Sequence, residues 1–247
     1  MTGLLPYAAA LDRLLAGVER LPAVVAPLAD CAGRVLAEPL VAMRDQPPFA
    51  AAAMDGYAIR WADVRQPWQV VGTSAAGHGW PGTLEAGQAV RIFTGGPLPA
   101  GADTIVVQED VIRSADQARL HGAGPARQGA HIRAKGQDFR HGDALVAAGT
   151  RLTGPHLGLA AAAGHGALAV VQRPRIALLA TGDELVPPGS VPGPGQIISS
   201  VPVMLAALLR AAGAVVFDPG IVRDDRAALA AAITSADADI VITIGGA

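Results

Sequence analysis

Apolar positions near the start of the chain recur three or four residues apart. This spacing predicts an amphipathic first helix, whose apolar side chains are Tyr7, Leu11, Leu14, Leu15 and Val18. A second short helix is expected around Cys31 to Leu36. The character of the chain then changes after the segment RDQPPFAAAAMDGYAIR.

From Tyr57 to about Val146 the apolar runs are short and separated by glycine and proline, as in WQVVG, QAVRIFTG, DTIVVQ and DALVAAG. Such spacing is typical of an all-β module. Residues 157–163 again have helical character. We therefore expect the β module to be inserted into a domain that both of its flanks build together.

After Pro174 the pattern predicts strand, helix, strand, helix and strand. The segments are RIALLATGDE, VPVMLAALLRAAG, AVVFDPGIVRDD, RAALAAAITSA and DIVITIGGA. Pro202 near the start of the first helix and Gly213 at its end fit helix termini, and Asp224 or Asp225 can cap the second. Right-handed crossovers make the sheet parallel. The last strand, rich in β-branched residues, should be buried on both faces.

Composition adds limits to this picture. The chain has 247 residues, enough for more than one domain, and only 16% are charged. No apolar run reaches the roughly 18 residues of a membrane span, so we expect a soluble, cytoplasmic protein without a membrane partner. A net charge of −2 gives no basic field for nucleic acid. The single cysteine, Cys31, excludes an internal disulfide and favours a buried, inert thiol.

Three polar turns follow the three strands of the predicted parallel sheet. They are TGDE at residues 181–184, RDD at 223–225 and GGA at 245–247. Ligands bind beyond the carboxyl ends of such strands, so we expect the turns to share one edge. Asp183 and Glu184 are ligands that Mg²⁺ prefers beside phosphate oxygens, and glycine amides suit an anion. The alternative is that Asp183, Asp224 and Asp225 only cap helices.

The β module contains two further candidates. Asp55 lies in AMDGYA, although Asp-Gly is also a common hairpin turn. Thr94 precedes Gly95 and Gly96, so its hydroxyl and the nearby amides can face a ligand, although turn formation also explains these residues.

Six collinear motifs together resemble the molybdopterin molybdotransferase family, which includes MoeA and the E domain of gephyrin. They are PPF…AMDGYA, IFTGGPLPAGADTIVVQED, HIRAKGQDFRHGD, LLATGDELVPPG, GPGQI and GIVRDD. The resemblance implies an α/β multidomain fold. An elongated segment combines residues 1–47 and 140–172, an all-β domain of 48–139 is inserted, and 173–247 form a three-layer α/β molybdopterin-binding domain with a parallel sheet. The family continues beyond the Gly-Gly turn, so we expect this domain to be incomplete. We also expect the chain to be C-terminally truncated and, as given, of low activity.

The resemblance also implies an activity and its residues. Molybdate is transferred onto adenylylated molybdopterin (adenylyl-molybdopterin) with Mg²⁺, and AMP is released. The implied partners are a second copy, in a homodimer with the active site near the subunit interface, and an upstream enzyme of the molybdopterin adenylyltransferase type. Carried over by position, the catalytic residues are Asp55, Thr94, Glu184 and Asp224. We further expect Thr181, Gly182, Asp183, Ser200, Gly245 and Gly246 to bind the cofactor, and Asp183 and Glu184 to be the metal ligands.

Two positions depart from the family pattern. Ala52 replaces a usual serine and Val201 a common asparagine. We expect both near the bound anion, where a lost hydrogen bond to a charged partner costs about 1.5–3 kcal/mol. They leave open a non-catalytic homologue that binds molybdopterin or serves as a dimeric scaffold. A third hypothesis is that the α/β part belongs to a different phosphate hydrolase.

Overall fold

The structure is a computed structural model that describes residues 5–245. It divides into two compact units. The α/β unit comprises Met1–Glu38, Ala147–Leu157 and Ala167–Ala247, and the β unit comprises Pro39–Val146 and Gly158–Gly166. Within residues 5–245, none of the helices has the length and apolar character needed to span a bilayer.

The described residues form α-helices, strands and three short 3-10 turns. The α-helices are α1 Tyr7–Leu15, α2 Gly154–Ala162, α3 Val201–Ala212 and α4 Arg226–Ser235. The strands are β1 Ala23–Pro27, β2 Leu40–Val41, β3 Ala51–Ala52, β4 Gly56–Ile59, β5 Trp68–Ser74, β6 Gln88–Ile92, β7 Thr104–Val107, β8 Val111–Ser114, β9 Gln117–Leu120, β10 Ile132–Arg133, β11 Ala144–Val146, β12 Ala167–Val171, β13 Arg175–Thr181, β14 Leu185–Val186, β15 Ile197–Ile198, β16 Val215–Phe217, β17 Ile221–Val222 and β18 Ile240–Ile244. The 3-10 turns are Leu28–Asp30, Trp61–Asp63 and Gln108–Asp110.

The β unit is built on a six-stranded sheet with the order β7-β4-β6-β5-β9-β8. Its neighbouring strands are antiparallel except for β5 and β6. All four residues of β4 are buried, because alternate side chains enter two different clusters. Tyr57 and Ile59 pack with Trp68, and Ala58 packs with Ile92. The predicted all-β character is confirmed, since strands and 3-10 turns account for the regular structure from β4 to β11.

The α/β unit contains the predicted parallel sheet. The central strand β13 pairs with β16 and then β17 along one side and with β18 along the other. Two short strands replace the single strand expected in AVVFDPGIVRDD, because Pro219 lacks an amide proton and Gly220 has a φ of 93°. Ala206 of α3 packs on Ile176 and Leu178 of β13.

Strand β1 pairs with β12 in an antiparallel ladder of five residues. These strands lie on either side of the β unit in the sequence, so two separate chain pieces form one sheet, as expected. Helix α1 is also present, although none of its residues is buried and Tyr7 is 82% exposed.

Two local expectations are wrong. No helix covers Cys31 to Leu36, because Gly33 adopts a φ of 73° and Val35 and Leu36 form bridges to other segments. Strand β18 is not buried on both faces among the described residues, since Ile240 is 49% exposed. Cys31 is buried and free, as its solitary occurrence suggested.

Candidate functional site

The first two polar turns of the α/β unit meet at the carboxyl end of the parallel sheet. Thr181 ends β13, and Asp183 follows it by two residues. The backbone amide of Asp224 donates a hydrogen bond to Asp183 Oδ1 over 3.3 Å. This contact joins two turns that lie 41 residues apart in the sequence.

The third turn packs against the first. A Cβ atom placed on Gly245 would collide with Thr181 Oγ1 and would lie 2.9 Å from Thr181 O. The position therefore requires glycine for steric reasons. Gly246 lies outside the described residues. The described part of the third turn thus shares the edge of the sheet with the first two, and we call this edge the acidic rim.

Glu184 is held in the acidic rim through both its backbone and its side chain. Its carbonyl accepts a hydrogen bond from the Ile197 amide over 2.9 Å, within the β14–β15 pair. Its carboxylate lies beside Gly182, where a Cβ atom would stand 2.5 Å from Oε2. Gly182 also has a φ of 150°, which residues with a side chain rarely adopt. The turn therefore requires glycine at this position both for its backbone conformation and for the space that the Glu184 carboxylate occupies.

The two adjacent aspartates of the RDD turn have different surroundings. Asp225 caps α4, because its Oδ1 accepts the Ala228 amide over 2.8 Å. Within residues 5–245, the Asp224 carboxylate has no hydrogen bond. Helix capping therefore accounts for Asp225 but not for the exposed carboxylates of Asp183 and Asp224.

The donor set of the acidic rim suits a magnesium ion that arrives with a phosphate group. The described residues include no group of three or more histidine, cysteine or acidic side chains that could hold a metal. Asp183 and Glu184 supply two carboxylates, and Mg²⁺ is commonly bound by one or two carboxylates plus substrate phosphates and water. The pair fits that mode and not a metal cage made by protein alone.

A cavity of about 400 Å³ opens beside the acidic rim. Ala180 of β13 and Ile221 of β17 line it together with Pro202 at the start of α3. Its polar lining residues are Ser199 and Asp218, neither of which is among the site residues predicted from the sequence. Ser200, which is one of the predicted site residues, is the N-cap residue of α3 and does not line the cavity. The sequence DPG, which is typical of a turn, could have drawn attention to Asp218. Nothing in the sequence distinguishes Ser199 from Ser200 as the residue that lines the cavity.

The β unit brings Asp55 and Thr94 together. Asp55 Oδ1 accepts two hydrogen bonds from Thr94, one from the backbone amide and one from the hydroxyl, each 2.8 Å long. The Thr94 amide bond is the largest cause that lowers the pKa of Asp55, followed by the hydroxyl bond, and the charge of Arg91 contributes further. Asp55 is therefore a carboxylate at neutral pH.

Ala52 lies inside the β unit. Its side chain is 1% exposed and packs with Ala58, Ile92 and Ile105 in an apolar cluster. Only its backbone reaches the glycine turn, because its carbonyl accepts the Gly95 amide. A serine here would have to find an internal hydrogen-bond partner. The Ala52 side chain thus lies inside an apolar cluster and not on an exposed surface, and its expected effect on an anion contact stays a prediction.

Two matches to family models cover most of the chain. Residues 5–164 match the model described as MoeA N-terminal region (domain I and II), and residues 177–247 match a probable molybdopterin binding domain. A β unit followed by a parallel α/β sheet with an acidic rim, together with these matches, defines a MoeA-type multidomain protein. The first match alone spans more than half of the chain, and the chain belongs to the MoeA family.

Known relatives agree with this assignment. A molybdopterin molybdenumtransferase from Nostoc sp. is 39% identical over 223 residues, covering 87% of this chain and 51% of the relative. A molybdopterin molybdenumtransferase 2 from Mycobacterium tuberculosis is 38% identical over 232 residues, covering 90% and 57%. The crystal structure of a molybdopterin biosynthesis MoeA protein from Pyrococcus horikoshii superposes with a TM-score of 0.87 at 32% identity, covering 99% of this chain and 64% of that one. The chain spans about half the length of these curated relatives.

Proposed function

We propose that the chain carries the active-site groups of a molybdopterin molybdotransferase. The reaction transfers molybdate onto adenylylated molybdopterin, with Mg²⁺ dependence and release of AMP. The observation that carries the proposal is that two acidic turns and Gly245 meet at the carboxyl end of one parallel sheet. Such an edge is where open α/β sheets bind phosphorylated ligands.

The acidic rim would receive the pyrophosphate of the substrate. Asp183 and Glu184 would hold Mg²⁺, whose charge neutralises the leaving phosphate when it is bound. Asp224, whose carboxylate has no hydrogen bond within residues 5–245, would orient the same group. The amide of Gly245 would bind a phosphate oxygen. Gly246, which lies outside the described residues, stays a predicted phosphate-binding residue.

The adjoining cavity would accept the pterin. Its walls are mainly apolar and it presents one hydroxyl and one carboxylate, Ser199 and Asp218. Ligand sites generally combine apolar walls with a few polar groups that fix orientation. A pterin edge carries both donors and acceptors, so a hydroxyl and a carboxylate can bind it together.

Asp55 and Thr94 would position molybdate or the nucleotide. We infer that they act within a homodimer, close to the subunit interface, and that an upstream adenylyltransferase-type enzyme supplies the substrate. The exposed apolar side chains of α1, among them Tyr7 at 82% and Leu14 at 76%, support association with a second copy. Positioning of reactants is a large source of rate enhancement in such transfers.

In the direct test, the protein extended to the length of its relatives is incubated with adenylyl-molybdopterin, molybdate and Mg²⁺, and AMP is measured by chromatography. We expect Glu184→Gln to lower AMP release at least about hundredfold, and Asp225→Asn, which keeps the helix cap, to retain activity.

Equal rates of AMP release for Glu184→Gln and Asp225→Asn would contradict the proposed role of Glu184. Binding of molybdopterin without AMP release in the unchanged protein would favour the non-catalytic homologue instead. The apolar Val201, 41% exposed at the first position of α3, supports that second candidate.

A further inference from the structure

Arg91 lies in β6 between two aromatic rings. Its guanidinium carbon is 5.2 Å from the centre of the Tyr57 ring and 4.8 Å from the centre of the Phe93 ring. Tyr57 is its cross-strand partner on β4, and Phe93 follows β6 directly. The two aromatic rings therefore stabilise the positive charge, and a planar guanidinium suits such contacts better than an ammonium group does.

The donors of the same guanidinium are directed at protein atoms. Nη1 donates to the Gly56 carbonyl over 3.1 Å, and Nη2 donates to the Gln108 side-chain carbonyl. Gln108 in turn donates its backbone amide to the Asp55 carbonyl over 3.1 Å. Arg91 thus bonds to Gly56, which follows Asp55, and to Gln108, which bonds the backbone of Asp55.

The contacts of Arg91 fall on the immediate neighbours of both candidate residues. Gly56 follows Asp55, and Phe93 precedes Thr94. We propose that Arg91 is a positioning residue that fixes Asp55 and Thr94 relative to each other for the transfer reaction. This inference rests on the proposed function of that pair, although the geometry that it describes does not.

Arg91 acts through Asp55 and Thr94 and not as a ligand of the substrate. Two aromatic rings contact its guanidinium, and one N–H of each terminal nitrogen is bonded inside the β unit. These bonds direct the guanidinium toward the neighbours of Asp55 and Thr94. By contrast, within residues 5–245 only one oxygen of Asp55 accepts hydrogen bonds, both from Thr94, which leaves Oδ2 for a ligand. The positive charge of Arg91 also helps to keep the pKa of Asp55 low, after the two Thr94 hydrogen bonds.

The test compares Arg91→Met and Arg91→Lys with Arg119→Met in the full chain. Arg119 is an exposed arginine of β9 in the same sheet and serves as the matched control. NMR follows the Asp55 carboxyl carbon against pH and the hydrogen exchange of the Thr94 amide. We expect Arg91→Met to raise the pKa of Asp55 and to accelerate Thr94 exchange about tenfold, the effect of losing roughly one hydrogen bond.

The Arg91→Lys variant separates the effect of the positive charge from the effect of the two hydrogen bonds to Gly56 and Gln108. Lysine keeps the positive charge, but its single ammonium group cannot bond Gly56 and Gln108 together as the planar guanidinium does. We therefore expect Asp55 to titrate as in the unchanged protein. Hydrogen exchange of the Thr94 amide should remain as fast as in Arg91→Met. If Arg91→Met does not fold, this variant decides alone, and Thr94 exchange equal to that of Arg119→Met overturns the proposal. A change limited to thermal stability, with both NMR readouts unmoved, would likewise show that Arg91 is only structural. Neither readout needs AMP release, so failure of the proposed reaction remains a separate result.

Discussion

At the residue scale, the two oxygens of the Asp55 carboxylate have different surroundings. Oδ1 is held by the amide and the hydroxyl of Thr94, and within residues 5–245 Oδ2 has no such bond. One side chain can therefore close a turn and bind a ligand at the same time. The structural and functional interpretations of the AMDG segment are compatible for this reason.

The ionisation of Asp55 predicts a pH-dependent contribution to stability. The pKa of Asp55 is lowered in the folded protein, chiefly by the Thr94 amide, so the carboxylate contributes fully above the ordinary aspartate value of about 3.9. This contribution is lost as the pH falls through the lower folded value. We expect Asp55→Asn to unfold at a lower urea concentration than the unchanged protein at pH 7, and the difference to shrink below about pH 4.

Urea denaturation followed by circular dichroism between pH 3 and pH 7 measures this effect. Thr73→Ala, at an exposed position of β5, is a control without a titrating group. A gap between Asp55→Asn and the unchanged protein that stays constant over the whole range would contradict the prediction.

At the element scale, α4 begins immediately after two aspartates with different roles. The Asp225 side chain caps the helix, whereas the backbone amide of Asp224 contacts Asp183. One turn therefore both starts a helix and places a carboxylate on the acidic rim. The helix N-terminus also favours negative charge close to it.

Substitution of Asp224 and of Asp225, one at a time, should separate effects on stability from effects on function. We expect Asp225→Ala to reduce the free energy of unfolding by about 1 kcal/mol through loss of the cap, and Asp225→Asn to restore most of it. Asp224→Ala should leave stability nearly unchanged but lower AMP release. Thermal unfolding and the AMP assay together check this, and a larger loss of stability for Asp224→Ala than for Asp225→Ala would refute it.

At the scale of the whole molecule, the proposed active-site residues come from both compact units. Asp55 and Thr94 belong to the β unit, and the acidic rim belongs to the α/β unit. The chain passes between the units after residues 38, 146, 157 and 166. In a homodimer the two sets of residues can come from different subunits, which is a symmetric arrangement with two equal sites.

Mixed dimers test this arrangement. Asp55→Asn and Glu184→Gln subunits, each inactive alone, should recover activity when they are unfolded and refolded together in equal amounts. Random pairing gives about half mixed dimers, each with one intact site, so about a quarter of the original AMP release is expected. If each site is built within one subunit, or if no dimer forms in light scattering, the mixture stays as inactive as its components.

The sequence by itself determined most of the regular elements of the α/β unit and the strand-rich character of the β unit. Helix α3, with Pro202 in its first turn and Gly213 at its end, was predictable because caps and periodicity depend on residues only a few positions apart. The parallel order followed from alternating strand and helix patterns. The predicted boundaries of the three domains, which the two compact units do not test, stay a prediction.

Only the tertiary structure decided how these residues are used. It buried Ala52 in an apolar cluster, assigned the cap to Asp225 and left Asp224 on the rim, and connected Arg91 to the neighbours of Asp55 and Thr94. The physical reason is that burial and hydrogen-bond partners depend on distant segments. Asp55 and Thr94 are 39 positions apart, and no local pattern records which atoms such segments bring into contact.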